Sequence, residues 1–209
     1  NSIVSGGNYN TVVGDEAGTA ITTADDCTAV GKSALQANTT GFAQTAVGSG
    51  ALATSTGSEN TAVGYLALNN SAGATSNTAV GYRSLDTNTT ADNNTSVGHL
   101  AMYANTTGAS NVAVGQGALR NNTTAASNTA IGYRALFTNT TGIRNTAVGE
   151  QALTVNTTGE QLTAVGKNAL LQNTTGRFSV AVGYNASLAN TTGERNTSIG
   201  HSAGDSTTT

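Results

Sequence analysis

Few residues in this chain could move a proton, hold a metal or attack a substrate. The two histidines, His99 and His201, each stand one residue after a glycine, Gly98 and Gly200. They occupy the same slot of a sequence repeat, six repeats apart, so stacking at about 4.8 Å per repeat would hold the rings about 29 Å from one another. That distance excludes a shared active site or a two-histidine metal centre. Cys27 is the single cysteine, which rules out an intrachain disulfide. It reads as a small semi-buried residue, with an interchain bridge or a reactive thiol as the alternatives. Asp15, Glu16, Asp25 and Asp26 lie close in sequence but lack the glycine-punctuated ligand spacing of a calcium loop, and they read as a solvated cap. The glycines recur as repeat punctuation, not as Gly-x-Gly-x-x-Gly between a strand and a helix, so no phosphate loop is expected. No nucleophile, base and acid can be assembled. The expectation is no catalytic residue, no metal, no cofactor and no enzyme activity.

Composition narrows the partners. Eight Lys+Arg against eleven Asp+Glu leave a net charge of −3 and no basic patch, which argues against nucleic acid or an anionic membrane. No apolar run is long enough to span a bilayer. Asn1 stands where an initiator methionine would, and the chain reads as a segment of something longer. Only 9% of residues are charged and 4% aromatic, but every repeat carries a Val or Ile and net charge is low, so the chain is expected to fold.

The elements that must position any side chain are repeats. Aligned on their first glycine they fall at Gly14, Gly31, Gly48, Gly64, Gly81, Gly98, Gly115, Gly132, Gly149, Gly166, Gly183 and Gly200, every interval being 17 residues except the 16 from Gly48 to Gly64. So regular a period predicts a solenoid, in which no repeat buries its apolar face until a neighbour stacks on it. The fold class is all-β with room for short helical turns, a parallel β-solenoid or β-roll of twelve coils. Residues 1–27 read as an irregular capping repeat, 28–204 as the regular solenoid and 205–209 as a polar tail.

Within a coil, the residue before the glycine is Val30, Val47, Val63, Val80, Val97, Val114, Ile131, Val148, Val165 or Val182, a β-branched series expected as a core ladder. A second core ladder is expected four residues after the glycine, at Leu35, Leu52, Leu68, Leu85, Leu119, Leu136, Leu153 and Leu170, with Met102 in the same slot. Ser187 breaks it, and Leu188 is the expected compensation. If Thr-Ala-Val-Gly is a strand, Thr and Val share one face and Ala and Gly the other. The flat Ala/Gly face, as at Ala79, Gly81, Ala130, Gly132, Ala147 and Gly149, is the candidate chain-to-chain contact, the alternative being a tightly packed second core face. The Gly-x-x-Ala-Leu segment is compatible with one helical or 3₁₀ turn or with a second short strand. Asn-Thr-Thr-Gly then closes the coil. Several of these triplets match the glycosylation sequon, although turn chemistry explains them without glycans.

Each coil offers one Val and one Leu as its sizeable apolar groups, against the cost of ordering the backbone of the whole coil. So thin a core favours burial against copies of the same chain. The slot after the glycine varies freely and reads as an exposed stripe. Tyr65, Tyr82, Tyr133 and Tyr184 in it, with Arg83 and Arg134 beside them, are the candidate surface-binding residues for a sugar or a protein; covering of coil edges is the other reading.

At Asn145-Thr146-Ala147-Val148-Gly149-x-x-Ala152 the sequence resembles the head repeats of trimeric autotransporter adhesins. At Asn60 to Leu68 and Asn128 to Leu136 it is similar to the Asn-Thr-Ala-Val-Gly-Tyr-x-Ala-Leu arrays of bacteriophage tail-fibre proteins. The resemblance implies a parallel, left-handed β-roll wound as a homotrimer and exposed on a cell or virion surface, although the family's head repeat is shorter and lacks the Asn-Thr-Thr-Gly turn. The function expected is the shaft or head of an extracellular adhesive fibre, attaching to a host-surface glycan or protein or spacing a distal tip. A self-assembling extracellular filament and an ice- or lattice-binding solenoid are the alternatives.

Overall fold

The computed structural model describes residues 7–206. Residues 1–6 of the expected cap and 207–209 of the expected tail lie outside it. Twelve three-residue strands, from β1 (Thr11–Val13) to β12 (Thr197–Ile199), form a single parallel sheet in sequence order. Each strand is one side of one coil. Register never slips: along the stack the first slot pairs Thr with Thr or Val, the middle slot Ala with Ala or Ser apart from Val12 with Ala29, and the third slot Val with Val or Ile.

The coil beginning at Thr129 shows how neighbours hold one another. Backbone N–H groups of Gly132, Arg134 and Arg144 donate to Val114, Gln116 and Ala126 of the preceding coil, at 2.8, 3.0 and 3.2 Å. Those of Thr129, Leu136, Thr138 and Thr140 donate to Asn145, Ala152, Thr154 and Thr157 of the following coil, at 2.8 to 3.1 Å. The whole circumference of the coil is therefore laddered, not the strand alone, and most of the backbone polar groups that the fold withdraws from water find a partner one coil away.

The segment after the strand is neither a helical turn nor a second strand. It is two successive turns, closed by Ala135 N–H to Gly132 C=O and Asn139 N–H to Leu136 C=O, both 3.3 Å. Two non-glycine residues take left-handed backbone there, Arg134 (φ 54°) and Leu136 (φ 51°), and Arg144 (φ 58°) does so before the next strand. The same three slots repeat along the rod. Such backbone costs about 1–2 kcal/mol per residue, a cost that stacking must offset. Leucine at this position is a good helix former in isolation, which is why its local preference misleads.

The strand alternates as expected, but in the opposite sense. Ala29, Ala46, Ala79, Ala130 and Ala147 are wholly buried inside the coil. The valines face outward: Val30, Val80, Val97, Val148 and Val182 are half-buried, while Val47, Val63, Val114, Val165 and Ile131 are 36–40% exposed. The expected valine core ladder is thus an outer ladder. The cause is space: Leu35, Leu52, Leu68, Leu85, Leu119, Leu136, Leu153 and Leu170, all at 0% exposure, supply the one large side chain that each narrow coil accepts. Opposite a leucine only Ala or Ser fits. The same fact removes the expected chain contact, because Ala79, Ala130 and Ala147 have no surface to offer. Gly81, Gly132 and Gly149 are half-buried beneath neighbouring backbone.

Polar side chains complete the interior. Asn105, Asn122, Asn139, Asn156 and Asn173 each donate from Nδ2 to Oδ1 of the Asn one coil earlier, at 2.8 to 3.1 Å. Each also donates to the carbonyl three residues on, Asn139 to Gly142 at 2.9 Å for example. A second column, Asn60, Asn77, Asn94, Asn111 and Asn128, accepts the backbone N–H of the next coil at 2.9 to 3.0 Å. These are buried amides in continuous ladders, and hydrogen bonding to the neighbouring coil is what makes them tolerable, although Asn173 Oδ1 has no partner. Substitutions inside the coil come in pairs. Ser84 donates to Ser96 at 2.7 Å, and Ser187 donates to Ser198 at 2.8 Å. Ser198, not the half-exposed Leu188, therefore compensates for the missing leucine. In the short coil between β3 (Thr45–Val47) and β4 (Thr61–Val63), Ser55 replaces the turn Asn and donates to the longer Gln44 at 2.9 Å.

The first glycine of each repeat is the tightest point. A Cβ at Gly149 (φ 139°) would lie 2.5 Å from the carbonyl oxygen of Gly166 and 2.6 Å from its carbon. We expect Gly149→Ala to destabilise the chain by at least about 2 kcal/mol, since strained backbone and a clash against main chain act together. Thr158→Ala, on the exposed turn, should stay within about 0.5 kcal/mol. Thermal unfolding by circular dichroism measures both.

Candidate functional site

The slot after the glycine forms a stripe along one corner of the coil, and the structure shows how its rings are used. Tyr65 stacks on Tyr82 (5.5 Å, 17°), and Tyr82 on His99 (5.2 Å, 13°). Tyr184 stacks on His201 (5.1 Å, 23°). Stacked rings spend their faces on each other and present edges to solvent. Of the expected binding residues, Tyr65 and Tyr184 are therefore end members of short columns, and Tyr82 is enclosed on both faces.

Arg83 is committed elsewhere. Its Nε donates to Asp86 at 2.6 Å, Asp86 being only 2% exposed. A second nitrogen donates to the Tyr103 hydroxyl at 3.1 Å, with the guanidinium 4.8 Å above the Tyr103 ring. The Asp86 hydrogen bond, the largest cause, raises the Arg83 pKa further above its ordinary range. Its work is to keep a buried carboxylate paired.

Tyr133 and Arg134 are different. They line a notch of about 160 Å³ together with His99, Gln116, Arg120 and Phe137, over Leu100 and Gly117. Arg134 lies 4.2 Å above the Phe137 ring and 6.0 Å from that of Tyr133. Arg120 lies 5.5 Å from the same Phe137 ring. Gly117 occupies the slot that holds Arg83 two coils earlier, and the Phe137 ring packs against it, a Cβ there falling 3.3 Å from Phe137 Cδ2 and Cε2. Arg120, Gln116, Gly117 and Phe137 were not legible as site residues from repeat spacing alone. The signal was present in the second and fifth slots after the glycine, which meet between neighbouring coils: Arg83 over Tyr103, Gly117 over Phe137.

Other residues that could carry chemistry are dispersed. His99 and His201 belong to separate ring columns. Asp25 accepts from the Asn8 N–H at 2.6 Å, and Glu16 accepts from the Ser33 hydroxyl at 2.9 Å. No group of three or more metal-ligating side chains gathers among the described residues. None of the described helices or strands includes a helix long and apolar enough to cross a membrane. The turn asparagines of the sequons, Asn38, Asn105, Asn139, Asn156, Asn173 and Asn190, are wholly buried, and a glycan on any of them is incompatible with the fold. The first threonine of the turn is occupied too at Thr89, Thr106, Thr123, Thr140, Thr157 and Thr174, Thr140 donating to the Thr157 carbonyl at 3.1 Å. The outer strand face is a regular, half-buried double column of Thr and Val or Ile with two interruptions, Val112 and Val180 in the threonine slot.

Comparison of the chain with protein-family models, with curated proteins and with solved structures gives no match.

Cys27 is buried, and its Sγ lies 3.4 Å from the carbonyl oxygens of Asp25 and Gly41. Burial, first, and the nearby Asp26 and Asp25 push its pKa above the ordinary 9.0. The folded chain therefore keeps a proton that the unfolded chain releases, so this contribution to stability is present below about pH 9 and declines above it. Between pH 8 and 10 the unfolding midpoint of the native sequence should fall more steeply than that of Cys27→Ala. A thiol reagent at pH 8 should label Cys27 only after denaturation.

Proposed function

We propose that this chain is a shaft or head segment of an extracellular adhesive fibre, displayed on a cell or virion surface and assembled as a homotrimer through its outer Thr/Val face. One observation carries the reading: the first and third residues of all twelve described strands, every one β-branched, point outward in a continuous column rather than into the coil. The column runs for roughly 55 Å at about 4.8 Å per rung, longer than the apolar patches that monomeric proteins ordinarily leave uncovered. A copy of the same chain is the partner whose side chains recur with the same spacing, so that valines can interlock over the full length. Closed rotational symmetry turns that match into a finite assembly. The thin interior gives such burial an energetic role: with the valines half outside, leucine is the main large apolar group that one coil buries alone. The resemblance to adhesin heads and phage fibres points to three copies.

The threonine column supports a second reading. Ten strands place a threonine hydroxyl outward beside a valine methyl pair, a flat and periodic surface of the kind that could order water at an ice lattice. This reading needs the face bare, whereas the fibre reading needs it covered.

Light scattering with multi-angle detection over a dilution series separates the two. The fibre reading expects a stable mass three times the 20.7 kDa chain, and dissociation or unfolding in the double variant Val148→Asp, Val165→Asp. A folded monomer that inhibits ice recrystallisation would replace it with the lattice reading. Open-ended growth would point instead to filaments joined through the unpaired edges of β1 and β12.

A further inference from the structure

We infer that the notch between the coils of His99 and Tyr133 is a binding site for an anionic sugar, a carboxylate-bearing saccharide unit held between Arg120 and Arg134.

Charge comes first. Four ion pairs occur among the described residues, Arg83 with Asp86, Lys167 with Glu150, Arg177 with Glu160 and Arg195 with Glu194. None engages Arg120 or Arg134. The acidic group in the nearest stripe slot, Glu150, is held 3.2 Å from Lys167. Two guanidinium groups thus share the Phe137 ring as their common support, in a chain whose net charge is −3. The Nε of Arg120 is buried and has no hydrogen-bond acceptor. A buried donor without a partner costs about 1–3 kcal/mol, a cost that a turn of the guanidinium toward an anion in the notch would relieve. Arginine's planar fork matches a carboxylate in two parallel hydrogen bonds, and stacking on an aromatic ring fixes the fork's orientation before the ligand arrives.

Shape and polarity extend the argument from anion to sugar. The cavity, about 160 Å³, is smaller than the clefts that enclose drug-sized ligands and suits a single pyranose-sized unit. Besides Phe137, its wall carries two aromatic rings, Tyr133, which is 44% exposed, and His99, one face of which is covered by Tyr82. Aromatic surface packs against the apolar face of a sugar ring, and the Gln116 amide supplies a donor and an acceptor for hydroxyl groups. Gly117 forms the floor. At Gly50, in the same slot, a Cβ would lie 2.5 Å from Leu66 Cδ2, whereas at Gly117 its nearest neighbour is the Phe137 ring at 3.3 Å, so the aromatic and arginine lining is particular to this coil. All lining residues come from one chain, so the site does not depend on the proposed trimer. Three copies would add avidity without new contacts.

The test is isothermal titration with a short oligogalacturonate, its fully methyl-esterified counterpart and inorganic sulfate. We expect binding of the oligogalacturonate, loss of at least about tenfold in affinity in Arg120→Gln and in Arg134→Gln, consistent with a lost charge-assisted hydrogen bond, and a comparable loss in Tyr133→Ala. Circular dichroism and solution mass of each variant should match the parent. Equal binding of the methyl ester would overturn the role of the charge. Equal binding of sulfate, with no effect of Tyr133→Ala, would overturn the sugar and leave only an anion site. Absence of binding by the folded parent chain would overturn the proposal outright. Each outcome is read independently of whether the parent is a trimer or a monomer.

Discussion

The structure depends on one close approach: the backbone of each coil lies against the backbone of the next at the first glycine, with no room for a methyl group between them. Gly132 faces Gly149, Gly149 faces Gly166, and a Cβ at either would fall 2.5 Å from the opposing carbonyl oxygen. This contact sets the vertical spacing to that of a parallel ladder, and once it is set every equivalent residue stands directly above its counterpart. Hydrogen bonds then close around the whole circumference. Like-on-like stacking turns buried asparagines, which singly would be liabilities, into continuous hydrogen-bonded columns. Left-handed backbone at three non-glycine slots per coil is tolerated because the neighbours over-determine it.

The same stacking rations apolar volume. A coil with one leucine and two or three alanines has a core too narrow for a second large residue, and hydrogen-bonded amides fill what remains. Valine, displaced to the outside, becomes the one abundant apolar group that folding of a single chain leaves half in water. A fold of this kind is stable as a stack rather than coil by coil, and its outer column is the natural place for further burial. Strict repetition also explains where individuality resides. The strand and turn slots are fixed by their neighbours above and below, whereas the second and fifth slots after the glycine point outward at the corner and are free to vary. The Arg83–Asp86–Tyr103 cluster and the Arg120–Arg134–Phe137 notch both arise there.

Much of this was legible in the sequence, for physical reasons. The 17-residue period, the parallel stack, the leucine ladder and the Asn-Thr-Thr-Gly turn follow from repetition itself, because a residue type that recurs at a fixed interval must suit a recurring environment. The direction of the strand faces was not legible. A β-branched residue fits any half-buried pleated surface, so Val148 alone does not say whether that surface faces the coil interior or a neighbour. The decisive quantity is the width of the coil, which only the closed backbone path reveals. The two-turn geometry after the strand was hidden for a related reason, since Leu136 adopts a backbone state that its intrinsic preference disfavours. The notch was partly legible: the absence of a side chain at Gly117 and the appearance of Phe137 a coil later are both in the sequence, but their meeting is a consequence of register.

If the outer face is the seam between copies, rigid and self-matching, then the fibre's length comes from stacking within each chain and its lateral strength from valine packing between chains. The corner slots are left to carry recognition. The most direct test of that division is oxidative crosslinking of Val148→Cys in a Cys27→Ala background, with Thr141→Cys on the exposed turn as the comparison. The account predicts rapid interchain disulfide formation at position 148 and little at 141, because a seam brings copies of the same residue together at contact distance. Crosslinking that is equal at both positions, or confined to 141, would contradict it and leave the Thr/Val face open to solvent.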